Sequence, residues 1–141
     1  MQRGSDVDQQ ALVVNLATRL KEDKLLAPPQ WAKFVKTAST KDRPPSQKDW
    51  WYLRGASILR RMYLSRKVTG VNRLRRVYGD KTKNTLSSHH FKPSGGSNIR
   101  HILQQLESNG LIVKKKVGVH SGRMISAKGI SLIDSISKGM K

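Results

Sequence analysis

Trp50, Arg54, Ser57 and Arg61 recur at i, i+4, i+7 and i+11. That spacing places four side chains on one narrow stripe of an α-helix. Two kinds of chemistry suit such a stripe. An arginine can fork onto phosphate oxygens through parallel N–H donors. Its plane, like an indole face, can also stack on a base. No acid stands between Trp50 and Leu64 to neutralise the stripe. A plainer reading sits beside this one: Trp50 plugs the edge of a core, and the arginines form a solvated face.

The surrounding charge favours the first reading for the arginines. Residues 54–83 carry Arg54, Arg60, Arg61, Arg66, Lys67, Arg73, Arg75, Arg76, Lys81 and Lys83 against the single acid Asp80. Solvated faces usually mix both signs. His90, Lys92, Arg100 and Arg123 extend the candidate set downstream. Phosphate contacts by such residues release counterions and supply affinity without sequence preference. The expected binding set is therefore Trp50, Arg54, Ser57, Arg60, Arg61, Arg66, Lys67, Arg73, Arg75, Arg76, Lys81, Lys83, His90, Lys92, Arg100 and Arg123.

Catalytic chemistry finds little material. After residue 30 the only carboxylates are Asp42, Asp49, Asp80, Glu107 and Asp134, each alone in sequence. General acid–base work needs a titratable group held in a formed site. Each of these reads as a cap or a solvated charge. Among the histidines only His89 and His90 are adjacent, and neighbours on an extended segment point to opposite sides. The chain has no cysteine, so disulfides, thiolate metal sites and thiol catalysis are excluded together. Ser94-Gly95-Gly96 resembles part of a phosphate loop, but no GxxxxGK[ST] follows. The expectation is a non-enzyme with no cofactor, no metal and no small-molecule substrate.

At 141 residues the chain is the size of one domain, with 36% hydrophobic residues for its core. The net charge is +19, which opposes compaction unless a polyanion shares it. Residues 1–30 hold equal numbers of acids and bases, so residues 31–141 carry the whole excess. No apolar run approaches the length of a membrane span, and the polar, acidic start shows no signal peptide. An intracellular, soluble chain without a membrane partner is expected.

The elements that must position the cations read as follows. Asp8 to Lys24 forms a helix with Ala11, Leu12, Val14, Leu16, Ala17 and Leu20 inward, capped by Asp6 or Asp8 and stopped by Pro28-Pro29. Gln30 to Ala38 gives a short helix with Trp31, Phe34 and Val35 on one face, followed by a loop to Asp49. In the helix starting at Trp50, the residues Trp51, Tyr52, Ala56, Ile58, Leu59, Met62 and Tyr63 fill one broad apolar sector around Gly55. Val68 to Tyr78 is a further helix with Val71, Leu74, Val77 and Tyr78 inward, capped by Thr69 and stopped by Gly79. Asp80 to Ser97 is an extended, basic loop. Ser97 caps a helix over Asn98–Ser108, and Gly110 ends it. Leu111–Val117, the turn Gly118–Gly122 and the returning RMISA form a hairpin, and Lys128–Met140 a last helix. The fold class is mainly α: a helical bundle around a central amphipathic helix, winged-helix-like with a small β-hairpin wing, over a single domain 1–141.

A winged helix alone suggests DNA, read by the helix before the hairpin. Asn98, Arg100, Gln104 and Gln105 could supply that reading, as in a DNA-binding regulator. The dense charge, however, lies on two earlier helices and the loop after them. A broad basic surface suits structured RNA better, since RNA helices are gripped by shape and phosphate.

DWWYLRGASILRRMYL resembles the central helix of the small-subunit ribosomal protein nineteen family of the eukaryotic and archaeal type. The family's W-x-Y-x-R-x-A-S core, followed by R and Y, is matched by Trp50, Tyr52, Arg54, Ala56, Ser57, Arg60 and Tyr63. SDVDQQALVVNLATRLK, PPQWAKFVKT, Val77-Tyr78-Gly79, SHHF at Ser88–Phe91, IRHILQQLE, and NGLI followed by GRMISAKG continue the match in order, over nearly the whole chain. Departures are Gly55 in place of a small alanine, His101 in place of a second basic residue, SAKG for a threonine–proline–lysine–glycine, and a longer RPPSQKD loop. The resemblance implies a constituent of the small ribosomal subunit, bound to rRNA in the head and beside other small-subunit proteins. It also implies, in eukaryotic members, a part in rRNA maturation. The implied location is the cytoplasmic ribosome, with a nucleolar stage during assembly if the source is eukaryotic.

Overall fold

The computed structural model describes residues 4–140; residues 1–3 and Lys141, which the single-domain expectation includes, lie outside them. The chain is mainly helical. Helix α1 spans Gln9–Glu22, and α2 Trp50–Ser65. Helix α3 spans Val71–Val77, α4 Gly96–Ser108 and α5 Ala127–Gly139. Two small antiparallel pairs accompany them. Strand β1 (Asp80–Lys81) pairs with β2 (Phe91–Lys92), and β3 (Ile112–Val117) with β4 (His120–Ile125).

The centre is α2. Its apolar sector is realised as read: Trp51, Ala56, Ile58, Leu59, Met62 and Tyr63 are buried, and Tyr52 is half-buried. This face packs against α1, α4, α5 and β4. Leu12, Leu16 and Leu20 of α1, and Ile99, Ile102, Leu103 and Leu106 of α4, complete the core. Gly55 faces Leu26, whose side chain a Cβ there would strike, with Ile102 of α4 behind it. The close neighbour of this glycine is thus the segment after α1 as much as a helix.

Local chemistry sets the ends. Asp8 caps α1 by accepting from the Ala11 N–H at 3.0 Å. Helix α1 stops well before Pro28-Pro29, because Asp23 caps it and Lys24 turns left-handed at φ 53°. Asp49 stands at the N-cap of α2, but its carboxylate binds Lys21 of α1 at 3.0 Å instead of the helix N–H groups. Ser97 does not cap α4; it lies inside the first turn, and Gly95 holds the cap position. The cap of α5 is Ser126, whose hydroxyl accepts from the Gly129 N–H and donates to the Gly110 carbonyl.

Three segments depart from the periodicity. Gln30–Ala38 is only one 3-10 turn, Gln30–Lys33, and Phe34 is 79% exposed. Beyond it the chain is drawn into an extended bridge between Ala38 and Ser94, so tertiary pairing ends the helix early. Helix α3 begins at Val71, not Val68. Thr69 is buried and does not cap it; its N–H and carbonyl exchange hydrogen bonds with Arg123 of β4 at 2.8 and 3.0 Å. Val77, expected inward, is exposed. Finally, the 80–97 segment is not one open loop. Its ends form the β1–β2 pair, with Asp80 opposite Lys92 and Lys81 opposite Phe91. The hairpin turn is also tighter than read: Val117 pairs with His120, so β4 starts before Gly122.

Candidate nucleic-acid interface

The stripe on α2 exists, and a residue from beyond α3 partly covers it. Tyr78 lays its ring against Arg54, with the guanidinium carbon 4.1 Å from the ring centroid. Its hydroxyl meets Ser57 Oγ at 2.7 Å. Burial lowers the Arg54 pKa from its ordinary value, opposed by the neighbouring Tyr78. Arg54 is therefore a half-buried cation with a π partner and no carboxylate partner among the described residues. Trp50 Nε1 donates to the Ala32 carbonyl at 3.2 Å, and its ring meets Trp51 edge to face. This anchors Trp50 to the edge of the core. Arg61, further along, is exposed.

Trp50, Arg54 and Ser57 form one wall of a groove of about 350 Å³; the 37–47 segment forms the other with Thr37, Lys41 and Arg43. Lys41 pairs with Asp80 of β1 at 3.0 Å, and that hydrogen bond holds the Asp80 carboxyl below its ordinary range. Lys41 and Arg43 were absent from the sequence-derived set. They stand in a Pro- and Lys-rich loop with no period, so nothing local placed them beside Arg54.

The remaining expected residues fall into two groups. Several are committed within the fold. Arg66 caps α2 at φ 53°, donates from Nε to the Tyr63 carbonyl at 2.7 Å, and stacks on the Tyr63 ring. Arg75 Nε donates to the Ser94 carbonyl at 2.9 Å, and the Ser94 N–H returns to the Arg75 carbonyl. Arg123 Nε donates to Glu107 Oε2 at 2.8 Å with only 16% of its side chain exposed. Arg60 is half-buried, and its Nε lacks a hydrogen-bond partner. The others stand free. Arg61, Lys67, Arg73, Arg76, Lys81, Lys83, Lys92 and Arg100 are exposed and make no ion pair among the described residues. His90 is exposed on the return of the 82–90 loop, where its backbone pairs with Thr82.

Of the acids after residue 30, only Asp42 makes no hydrogen bond or ion pair among the described residues. Asp23, Asp49, Asp80 and Glu107 each already hold a lysine or arginine. Asp134 accepts from the Tyr63 hydroxyl at 2.6 Å. Lys114, Lys115 and Lys116, a run missed as a binding element, add an exposed cationic edge on β3. Their uninterrupted KKK was the available signal. No group of three or more metal-ligating side chains occurs among the described residues. No helix there is long and apolar enough to cross a membrane.

The helix before the hairpin is poorly equipped to read bases. Asn98 is buried. Gln105 accepts from Trp51 Nε1 at 3.1 Å and donates to the Ala27 carbonyl at 2.7 Å. Of its four expected reading residues only Arg100 and Gln104 are exposed.

Comparison with known proteins gives one consistent result. The family model described as Ribosomal protein S19e matches residues 4–141. A protein of Aeropyrum pernix named small ribosomal subunit protein eS19 is 42% identical over 134 residues, covering 94% of this chain and 86% of the relative. Its counterpart eS19A of Schizosaccharomyces pombe is 38% identical, covering 94% and 89%. The protein named eS19G of Ascaris suum is 37% identical, covering 96% and 90%.

Proposed function

The chain belongs to the ribosomal protein S19e family, and from that premise we propose that it is a structural constituent of the small-subunit head, bound to rRNA through the cationic face of α2, α3 and the 80–92 hairpin. The observation that carries this reading is that the exposed cations of α2, α3 and the 80–92 hairpin make no ion pair among the described residues, while Asp80, the one acid of residues 54–83, already holds Lys41. Such a face lacks counter-charge until a polyanion supplies it. Arg61, Lys67, Arg73, Arg76, Lys81, Lys83, Lys92 and Arg100 contact phosphate. Trp50, Arg54 and Ser57 shape the groove beside them, and Arg60, Arg66, Arg75, His90 and Arg123 complete the binding set. Neighbouring small-subunit proteins complete the surroundings. The chain acts in the cytoplasmic ribosome without catalysing a reaction, after a nucleolar stage of rRNA maturation and subunit assembly where the cell has a nucleolus.

We read residues 1–141 as one winged-helix-like domain. The order α4, β3–β4 hairpin, α5 supports this, as does the isolated antiparallel bridge by which Thr69 meets Arg123 of β4. A DNA-binding regulator is the poorer reading, since Asn98 and Gln105 are spent inside the fold.

The test is sedimentation of the tagged chain through a sucrose gradient, in buffer salty enough to strip loose electrostatic binders. Co-sedimentation with small subunits at about one copy each is the expected result. A chain that stays at the top, or follows DNA until nuclease is added, overturns the proposal. A chain that rides only with precursor particles makes it an assembly factor instead.

A further inference from the structure

Where α2 ends, the backbone turns at Arg66 and crosses Lys67, Val68 and Thr69 before α3 begins. Thr69 is tied to Arg123 in both directions, so this linker lies along the free side of β4. Gly122 makes the approach possible. A Cβ there would lie 2.8 Å from the Thr69 carbonyl oxygen and 2.9 Å from Val68 Cγ1. The hairpin is thereby held beside the linker, and a cleft of about 680 Å³ opens between them.

Its lining is unusual in two respects. Four side chains that are cationic at neutral pH, Arg66, Lys67, Arg73 and Lys115, surround it, and no acid lines it. Apolar groups lie among them: Val117 is 54% exposed and Met124 is half-buried. Lys67, Arg73 and Lys115 make no ion pair among the described residues. The cleft is separate from the groove at Arg54. Arg66 lies twelve positions further along the same chain, about 18 Å at the rise of a helix.

We propose that this cleft is a second RNA subsite, one that takes a single-stranded segment, its phosphates on the four cations and an unstacked base against Val117 and Met124. The inference rests on the rRNA-binding reading above and adds the kind of RNA structure this end of α2 selects. Cations alone would take any polyanion. The apolar patch decides, because a duplex keeps its base faces stacked inside and presents only sugar, phosphate and polar base edges. A looped-out strand offers a base face, and packing that face against a side chain adds affinity with little sequence preference. Grips at both ends of α2 would then fix the orientation of the chain on a junction between paired and unpaired RNA.

Fluorescence anisotropy tests this with the full chain and two probes of equal phosphate number, an oligouridylate and a blunt RNA duplex, at physiological salt. Met124→Ala removes apolar surface and leaves every cation in place. It is expected to weaken the oligouridylate about threefold, less than the loss of an aromatic stack would cost, and to leave duplex binding unchanged. Val117→Ser, at an exposed position, should act the same way and guards against a folding defect in the first variant. If both variants bind both probes like the parent chain, or lose both probes equally, the subsite is overturned while rRNA binding stands. Displacement of the oligouridylate by a polyglutamate peptide of equal charge, with equal strength, also overturns it and makes the cleft a protein-docking site. A parent chain that binds neither probe overturns the rRNA-binding reading, and the subsite falls with it.

Discussion

Tyr78 lies 4.1 Å from the guanidinium of Arg54, ring centroid to carbon, and so converts an exposed helical stripe into a supported one. The ring shields one side of the cation and leaves the groove side open. Replacing Tyr78 by Leu removes both the π face and the hydroxyl that meets Ser57. We expect a loss of about 1–2 kcal/mol from the cation–π and hydrogen-bond contributions together. Chemical denaturation measures it, and the same variant should bind rRNA fragments more weakly because Arg54 is no longer held. Unchanged stability would mean that the Tyr78 contacts contribute nothing to the fold.

The exposed and half-buried arginines should separate cleanly. Arg61→Glu with Arg73→Glu alters two free cations, so the melting temperature should shift little while incorporation into small subunits fails. Arg54→Glu should lower the melting temperature as well, because a carboxylate would then face the Tyr78 ring. Thermal melts and gradient sedimentation of both variants distinguish the two roles.

Ile58 is fully buried on the opposite face of α2. Ile58→Asp places an unpaired charge in the core and should destabilise by several kcal/mol, on the order of 3–5. Urea titration reads the effect, and a loss below about 1 kcal/mol would contradict the assignment of that face.

Gly122→Ala should spread the hairpin from the linker, since the new Cβ meets a backbone oxygen that cannot rotate away. Overpacking of this kind costs about 1–3 kcal/mol. Amide exchange at Thr69 and Arg123, whose N–H groups each donate to the other's carbonyl, should accelerate more than exchange within α2.

Acid should loosen the same wing. Glu107 on α4 holds Arg123 at 2.8 Å and Lys114 at 3.5 Å. The Arg123 hydrogen bond, opposed by burial and aided by both positive charges, holds its carboxyl below the ordinary range. A lowered carboxylate pKa contributes stability that is present above the unfolded value, about pH 4.3, and lost as pH falls through the folded one. Exchange protection of β3 and β4 should drop in that window in the parent chain. In Glu107→Gln the pH dependence there should flatten.

Much of this architecture was legible because α2 is long and strongly two-faced: every apolar position from Trp51 to Tyr63 found the core or its edge. The α4 face was legible for the same reason. What failed was decided by partners distant in sequence. Thr69 has the chemistry of a cap, but Arg123 offers it a strand. The helix expected over Gln30–Ala38 lost its second half to the Ala38–Ser94 bridge. Two-residue strands such as β1 and β2 carry no periodic signal at all. On the candidate surface, sequence located the cations but not their company. Arg54 reads as solvent-facing until Tyr78 is folded over it, and Arg123 reads as free until Glu107 meets it. Lys41 and Arg43 join the groove only through tertiary placement.

The Tyr63 hydroxyl accepts from the Gly4 N–H at 3.2 Å and donates to Asp134, so one side chain of α2 joins the beginning of the described chain to its final helix. Helix α1 also packs against α5. This closure has a temporal meaning. During synthesis the elements emerge in order, and the apolar sector of α2 stays incompletely covered until α5 has been made. The nascent chain therefore carries a basic helix with an incompletely covered apolar face between the synthesis of α2 and that of α5, the interval in which aggregation and misplaced contacts compete with folding. A chaperone or carrier that shields α2 would matter most in that interval, and least once Asp134 has reached Tyr63.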